Sequence, residues 1–349
     1  MEPQDDKLFD QRKAGSRTTR REKLPWPKDQ PYRILSLDGG GIKGVFTACL
    51  IQQIERCFCG GKPMARYFDH IAGTSTGGII ALGLGLEIST QNIADLYLDK
   101  GREIFPPWRF FLKKRCGKLG QLLWNKSVFD RGVLDDALHA EFGSRLYRDC
   151  LPRMTIPAFK LPEAELAVLK TDHHPDYKCD PLNTCVKIAA ATSAAPTVLK
   201  GVENGSTVFF DGGVWANNPI MLAVTEAKSA LDVSCDQIEI LSVGTGSPQW
   251  SSNDSRLDKG ALGWIDVFEG MMYLNGEAAL SEASLMIGPE NVVRIEPEGE
   301  LAHIDMADWA TAKRDLPAEA ERLFRANEVQ LERFFQSEAP PRERFLAEF

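Results

Sequence analysis

Three short apolar runs in this sequence each end in a glycine-bearing turn, and each turn leads on to a helix-spaced segment. The first, 32-YRILSL-37, stops at 38-DGGGIKG-44 and continues as 44-GVFTACLIQQIERCF-58, where Val45, Leu50, Ile51 and Ile54 recur at helical spacing. The second, 68-FDHIAG-73, turns at 74-TST-76 into the small-residue run 77-GGIIALGLGL-86. The third, 207-TVFFDGG-213, leads to a helix opened by Pro219, 219-PIMLAVTEAKSAL-231. Strands that alternate with helices in this way call for an α/β fold with a largely parallel sheet.

The remaining segments extend the same pattern. 238-IEILSVGTG-246 and 291-NVVRIEP-297 are short strands. Helices are expected near 90–101 with Thr90 as cap, at 133-VLDDALHAEFG-143, at 185-CVKIAAATSAAPT-197 up to Pro196, and at 316-LPAEAERLFRANEVQLERFF-335. No internal repeat interrupts them. One domain over 31–335 accounts for the chain, with its motifs inside 32–245 and a helical C-terminal part over 250–335. A mobile or loosely packed arm, 1–30, precedes it and a tail, 336–349, follows.

The 349 residues carry a net charge of −8. No global basic field would draw in free nucleic acid, so that partner is excluded as a general one. Eight cysteines are scattered, and Cys57 and Cys59 are too close for a zinc knuckle with no second pair to answer them. They read as free thiols, with no metal site, in a reducing compartment. The polar N-terminus has no apolar core like that of a secretory signal, and no uninterrupted apolar run reaches the roughly 18 residues of a membrane span. The expectation is a cytoplasmic protein.

Ligand sites in open α/β sheets lie beyond the carboxyl ends of the strands, where the three glycine turns fall. In 73-GTSTG-77, a turn tight enough to project Ser75 crowds its neighbours, so Gly73 and Gly77 stand two residues either side. The following helix directs its N-terminal dipole at the site. A serine hydroxyl needs a base. Of the five histidines, His303 is the only late one, and its flanks carry no turn motif. Asp211, on its own turn, is the other candidate, since a partly desolvated carboxylate is a better base. The loop 39-GGGIKG-44 offers unobstructed backbone N–H groups from Gly39, Gly40 and Gly41 to a developing oxyanion, with Lys43 adding charge or capping the loop. It also matches the G-x-G-x-x-G dinucleotide turn, a rival that wants an acid about 20 residues on. Positions 60–65, GGKPMA, supply none, and no Lys-Ser or Lys-Thr follows for a phosphate-binding Walker loop.

DGGGIKG, GTSTG, ATSAAPT and DGG, in that order, resemble the patatin-like phospholipases over residues 32–245. The resemblance implies a three-layer α/β fold with a mostly parallel central sheet flanked by helices. It implies a Ser75–Asp211 dyad, an oxyanion hole at Gly39, Gly40 and Gly41, and supporting positions at Asp38, Lys43, Gly44, Gly73, Gly77, Gly212 and Gly213. The activity it implies is hydrolysis of lipid acyl esters, with no cofactor or metal in catalysis. The chain is also similar to the bacterial CBASS anti-phage effectors of that family. That likeness implies a cyclic dinucleotide activator, attack on the host's own membrane phospholipids, and assembly into a homo-oligomer on activation.

From Ile104 to Phe129 no acidic residue occurs, although the chain is acidic overall. Six basic residues, Arg109, Lys113, Lys114, Arg115, Lys118 and Lys126, are interleaved with Phe105, Trp108, Phe110, Phe111 and Trp124. Basic residues attract anionic headgroups and aromatic rings settle at the interface. Residues 105–126 therefore read as a peripheral contact with the inner membrane. The alternatives are a solvated basic face over core rings, or a nucleotide contact. A nucleotide-binding module built on 39–44 without hydrolase activity, or a silent scaffold, stands as the alternative for the whole chain.

Overall fold

Strand β1 (Tyr32–Leu37) is buried along its whole length and divides the core in two. Successive side chains in a strand point to opposite faces. Tyr32 and Ile34 enter one apolar cluster with Trp26, Ala223, Val224 and Ala227, while Leu35 and Leu37 enter another with Val45, Leu50, Ile51 and Ile54. A strand buried on both faces belongs inside a parallel sheet covered by helices on both sides. The computed structural model describes residues 21–105, 131–196, 199–248 and 260–346.

The strands are β1, β2 (His70–Gly73), β3 (Arg153–Leu161), β4 (Glu165–Lys170), β5 (Val202–Asn204), β6 (Thr207–Asp211), β7 (Ile238–Val243) and β8 (Val292–Ile295). They form one sheet in the order β5-β6-β3-β2-β1-β7-β8, with β4 also on β3. Pairings β1–β2, β1–β7, β2–β3 and β7–β8 are parallel, and β3–β4, β3–β6 and β5–β6 are antiparallel. The helices are α1 (Gly44–Phe58), α2 (Thr76–Gly85), α3 (Thr90–Ile104), α4 (Gly132–Phe142), α5 (Cys185–Thr192), a short α6 (Gly213–Ala216), α7 (Ile220–Ala230), α8 (Gly260–Ile287) and α9 (Trp309–Glu332). The expected three-layer α/β arrangement is the one found. Among the described residues no helix is long and apolar enough to cross a membrane.

Strand β3 organises the functional end. Along one edge β4 pairs with it over Thr155–Lys160. Along the other edge β2 pairs in parallel with 153–155, and β6 arrives from the opposite direction to pair with 158–161. The carboxyl ends of β2 and β6 therefore meet head to head on the same edge. The β3–β4 hairpin was not expected from the sequence, because Pro157 lies inside β3 and proline argues against a central strand. Pro157 is accommodated here, and its carbonyl accepts the Thr192 hydroxyl.

Two expectations are corrected locally. The cap of α3 is Ser89, whose side chain accepts from Asn92 N–H, while the Thr90 hydroxyl donates to Glu55. The expected arm is packed at its near end: Trp26 is buried, its ring edge-on to Tyr32, and Leu24 N–H donates to Ala230 O. Past 335, the buried Arg342 is paired with Asp172 (2.7 Å). The segment 105–126 lies outside the described residues apart from Phe105, whose ring stacks on Tyr97.

Candidate active site

Ser75 is the turn between β2 and α2, and its backbone is at φ 54°, ψ −120°. A side-chain-bearing residue in such a conformation costs about 1–3 kcal/mol, offset by surroundings that over-determine it. Those surroundings are explicit. A Cβ on Gly73 would collide with the Gly77 carbonyl, and one on Gly77 would collide with the Leu37 carbonyl and lie 2.6 Å from Asp38 O. The two glycines of G-x-S-x-G are thus fixed by sterics. Ser75 N–H donates to the Thr192 hydroxyl (3.1 Å), and Ser75 O accepts from Ile79 N–H, which starts α2.

Asp211 ends β6 in register with Ala158 of β3, and it is buried. The Ser75 side chain faces its carboxylate, and Gly213 N–H donates to Asp211 Oδ1 (2.7 Å). Burial pushes its pKa up to about 6, while the bond from Gly213 and the neighbouring Ser75 hydroxyl pull the other way. A carboxylate near that value accepts a proton better than an ordinary one. Gly212 is required because a Cβ there would collide with the Pro157 carbonyl. The block 191-ATSAAPT-197 serves both partners: Thr192 holds Ser75, and Ala194 O accepts from Asp211 N–H (3.0 Å).

The loop 38–44 lies beside Ser75; a Cβ on Gly39 would stand 3.3 Å from Ser75 Cβ. Of the three glycines expected to bind an oxyanion, Gly39 is committed elsewhere. Its N–H donates to Asn217 O (3.0 Å), and its carbonyl accepts from Thr245 Oγ1 (2.7 Å). The N–H groups of Gly40 and Gly41 donate to no acceptor among the described residues. Gly41 has φ 58°, and Ile42 N–H donates to Met306 O, closing the loop. A Cβ on Gly44 would lie 2.5 Å from Thr76 Oγ1. Lys43 is buried, and burial lowers its pKa against the pull of Glu269, Asp305, Glu296 and Asp38. Asp38 is ion-paired with Arg294 (2.7 Å).

No histidine touches Ser75. His70 is buried between Tyr32 OH and Thr155 Oγ1, His173 faces Glu226, His174 meets Glu22 O, and His139 meets Asp135 O. His303 is exposed and engages Ser247 O (3.0 Å). It stands on the wall of a cavity of about 420 Å³ that also takes in Gly39, Gly40, Lys43, Asn217 and Tyr273. Thr192, Asn217, Thr245 and Arg294 are site residues that the sequence reading did not single out. Thr192 alone carried a signal, because it stands inside the ATSAAPT block.

Residues 35–224 match the family described as "Patatin-like phospholipase". A protein of Escherichia coli (strain TW11681) named "cGAMP-activated phospholipase" is 36% identical over 243 residues, 66% of this chain and 67% of its own length. Proteins of the same name from Pseudomonas aeruginosa and Vibrio cholerae are 33% and 31% identical; the matched regions are 61% and 68% of this chain and 62% and 70% of theirs. With more than half of its length inside the family match, and with the ordered turns described above, the chain belongs to the patatin-like phospholipase family, a family of lipid acyl hydrolases.

Proposed function

We propose that this chain hydrolyses acyl esters of membrane phospholipids by a Ser75–Asp211 dyad. The observation that carries the reading is the Ser75 side chain set against the buried Asp211 carboxylate at the facing ends of β2 and β6, with no histidine bonded to either. Ser75 Oγ attacks the acyl carbonyl carbon, and its proton passes to Asp211. The N–H groups of Gly40 and Gly41 hold the oxyanion. The intermediate collapses, the acyl carbon–oxygen bond to the glycerol breaks, and Asp211 returns the proton to the departing lysophospholipid. Water then attacks the acyl-enzyme with Asp211 again accepting a proton, which releases fatty acid and restores Ser75. No metal or cofactor takes part in these steps.

A cyclic dinucleotide is the proposed activator, and the names of the three bacterial relatives support it. In this reading the protein is a cytoplasmic effector of anti-phage defence. It assembles on activation and degrades the inner membrane of its own cell, docking peripherally through 105–126. Purified protein incubated with mixed phospholipids, with and without a panel of cyclic dinucleotides, and read by mass spectrometry of released fatty acid, tests it. Fatty acid release that appears only with one nucleotide supports both parts. Release that no nucleotide changes removes the gating and keeps the hydrolase. No release from any lipid or soluble ester overturns the proposal.

A further inference from the structure

We infer that Arg294 is a positioning residue for the oxyanion loop: reaching from β8 past Gly244, its guanidinium fixes Asp38 and so aims the N–H groups of the glycines that follow. The inference rests on the reading of Ser75 as an acyl-transfer nucleophile.

Three acceptors from three strand ends hold the guanidinium. Nη2 donates to Asp38 Oδ2 (2.7 Å) at the end of β1 and to Glu296 Oε2 (3.1 Å) beyond β8, and Nη1 donates to Ser242 Oγ (2.8 Å) in β7. A planar fork clamped this way is locked in rotation as well as position. Gly244 makes the path: a Cβ there would collide with Arg294 Nη2 and lie 2.5 Å from Glu296 Oε2. Asp38 is the last side-chain-bearing residue before Gly39, Gly40 and Gly41. Glycine restricts its own φ and ψ least, so the direction of these N–H groups comes from the bonds that hold Gly39 to Asn217 and Thr245 and from anchors at the two ends of the run. At the far end the anchor is Ile42 N–H on Met306 O. At the near end it is Asp38, held at its N–H by Val243 O and at its carboxylate by Arg294. Donors held rigidly where charge develops are what accelerates acyl transfer. Arg294 lies outside residues 35–224, so this anchor is supplied by chain beyond the family match.

The pair also has a titration signature. The charged groups facing Asp38 are Arg294 and Glu296 from the β8 side, Glu277 from α8 and Lys43 from its own loop. Burial pushes Asp38 up to about 6, and Arg294 opposes that shift. With the guanidinium gone, the carboxyl protonates at higher pH.

The test is steady-state hydrolysis of a short soluble ester, with and without cGAMP, by wild type, Arg294→Lys and Arg294→Met from pH 4 to 9. Fluorophosphonate labelling of Ser75 and thermal melting run alongside. Arg294→Met should lower kcat about 10- to 100-fold with KM within about twofold, as expected for loss of aim rather than of binding. Its acid limb should move up by about 1 pH unit. Arg294→Lys should recover part of the rate and keep the wild-type limb. Should Arg294→Met fail to fold, Ser242→Ala, which leaves the ion pair intact, should still lower kcat about 3- to 10-fold through looser aim. Unchanged kcat in every variant that folds overturns the role. So does a loss of kcat matched by a proportional rise in KM with no change in the pH limb, the mark of a purely structural pair. A wild type that neither turns over ester nor is labelled at Ser75 overturns the nucleophile reading itself, and this role with it.

Discussion

The Thr192 hydroxyl accepts the backbone N–H of Ser75 (3.1 Å) and donates to the carbonyl of Pro157 (2.6 Å), so one side chain ties the strained turn to β3. Thr192→Val keeps the shape and leaves both backbone groups without that partner. The expected loss is about 1–3 kcal/mol of stability for the buried groups left unpaired, with a fall in ester turnover. Thr192→Ser, which keeps the hydroxyl, should retain most of both. Denaturant melts and initial rates on a soluble ester check the pair of variants.

Ser75→Ala and Asp211→Asn should each abolish lipid hydrolysis while the protein melts as cooperatively as wild type. Groups that act as one unit are strongly non-additive, so the double variant should be little slower than either single one. Fluorophosphonate should label wild type at Ser75. Fatty acid release by Ser75→Ala at the wild-type rate would show that another nucleophile does the chemistry.

Activity should fall as pH drops through about 6, because Asp211 must be ionised to accept the proton and burial has raised its pKa to about that value. The sign follows from the direction of the shift: above the folded pKa the base is available, and below it the carboxyl is already protonated. Asp38, pushed to about the same value, titrates alongside and should steepen the limb. In Asp38→Asn the remaining limb should have a slope near one on a logarithmic plot of kcat/KM, as a single titrating base gives. A rate flat from pH 8 down to 4 would exclude Asp211 as the base.

Gly77→Ala should disable the site, because the added Cβ meets the backbone of Leu37 and Asp38, which cannot move without shifting the oxyanion loop. The expected loss is about 1–3 kcal/mol of stability from overpacking and about 10²-fold in turnover from the misplaced loop. Gly60 is the control. Its φ is positive (57°), unlike that of the helical Gly77, and a Cβ there meets nothing within 4 Å. Gly60→Ala should cost about 1–2 kcal/mol from backbone strain alone and leave turnover unchanged.

The positions legible from the sequence are those whose constraint is local. Ser75, Gly73 and Gly77 announce themselves because crowding at one turn dictates all three. Asp211 stands out through the two glycines after it, of which Gly212 lets the chain pass Pro157 O. Contacts closed over long separations left no local trace. Arg294 sits in a four-residue strand with nothing to mark it as the partner of Asp38, and Asn217 takes the Gly39 N–H through a backbone carbonyl, which no residue type encodes. The β3–β4 hairpin was hidden by Pro157, a residue that argues against a strand on its own and is tolerated here in place. Ser89 and Thr90 are neighbours with the same capping chemistry, and only the bond from Asn92 N–H to Ser89 distinguishes them.

Because β2 stops against residue 155 of β3 and β6 ends against residue 158, the gap between Ser75 and Asp211 is measured on a single ruler of the sheet. Between β4 and β5, only the positions of Thr192 and Ala194 are tied to that ruler, through the N–H groups of Ser75 and Asp211. Insertions elsewhere between β2 and β3, or between β4 and β5, can lengthen the route without changing the distance it spans. Evolution, or a designer, is therefore at liberty to graft new recognition or control elements onto those connections while the chemistry stays in register.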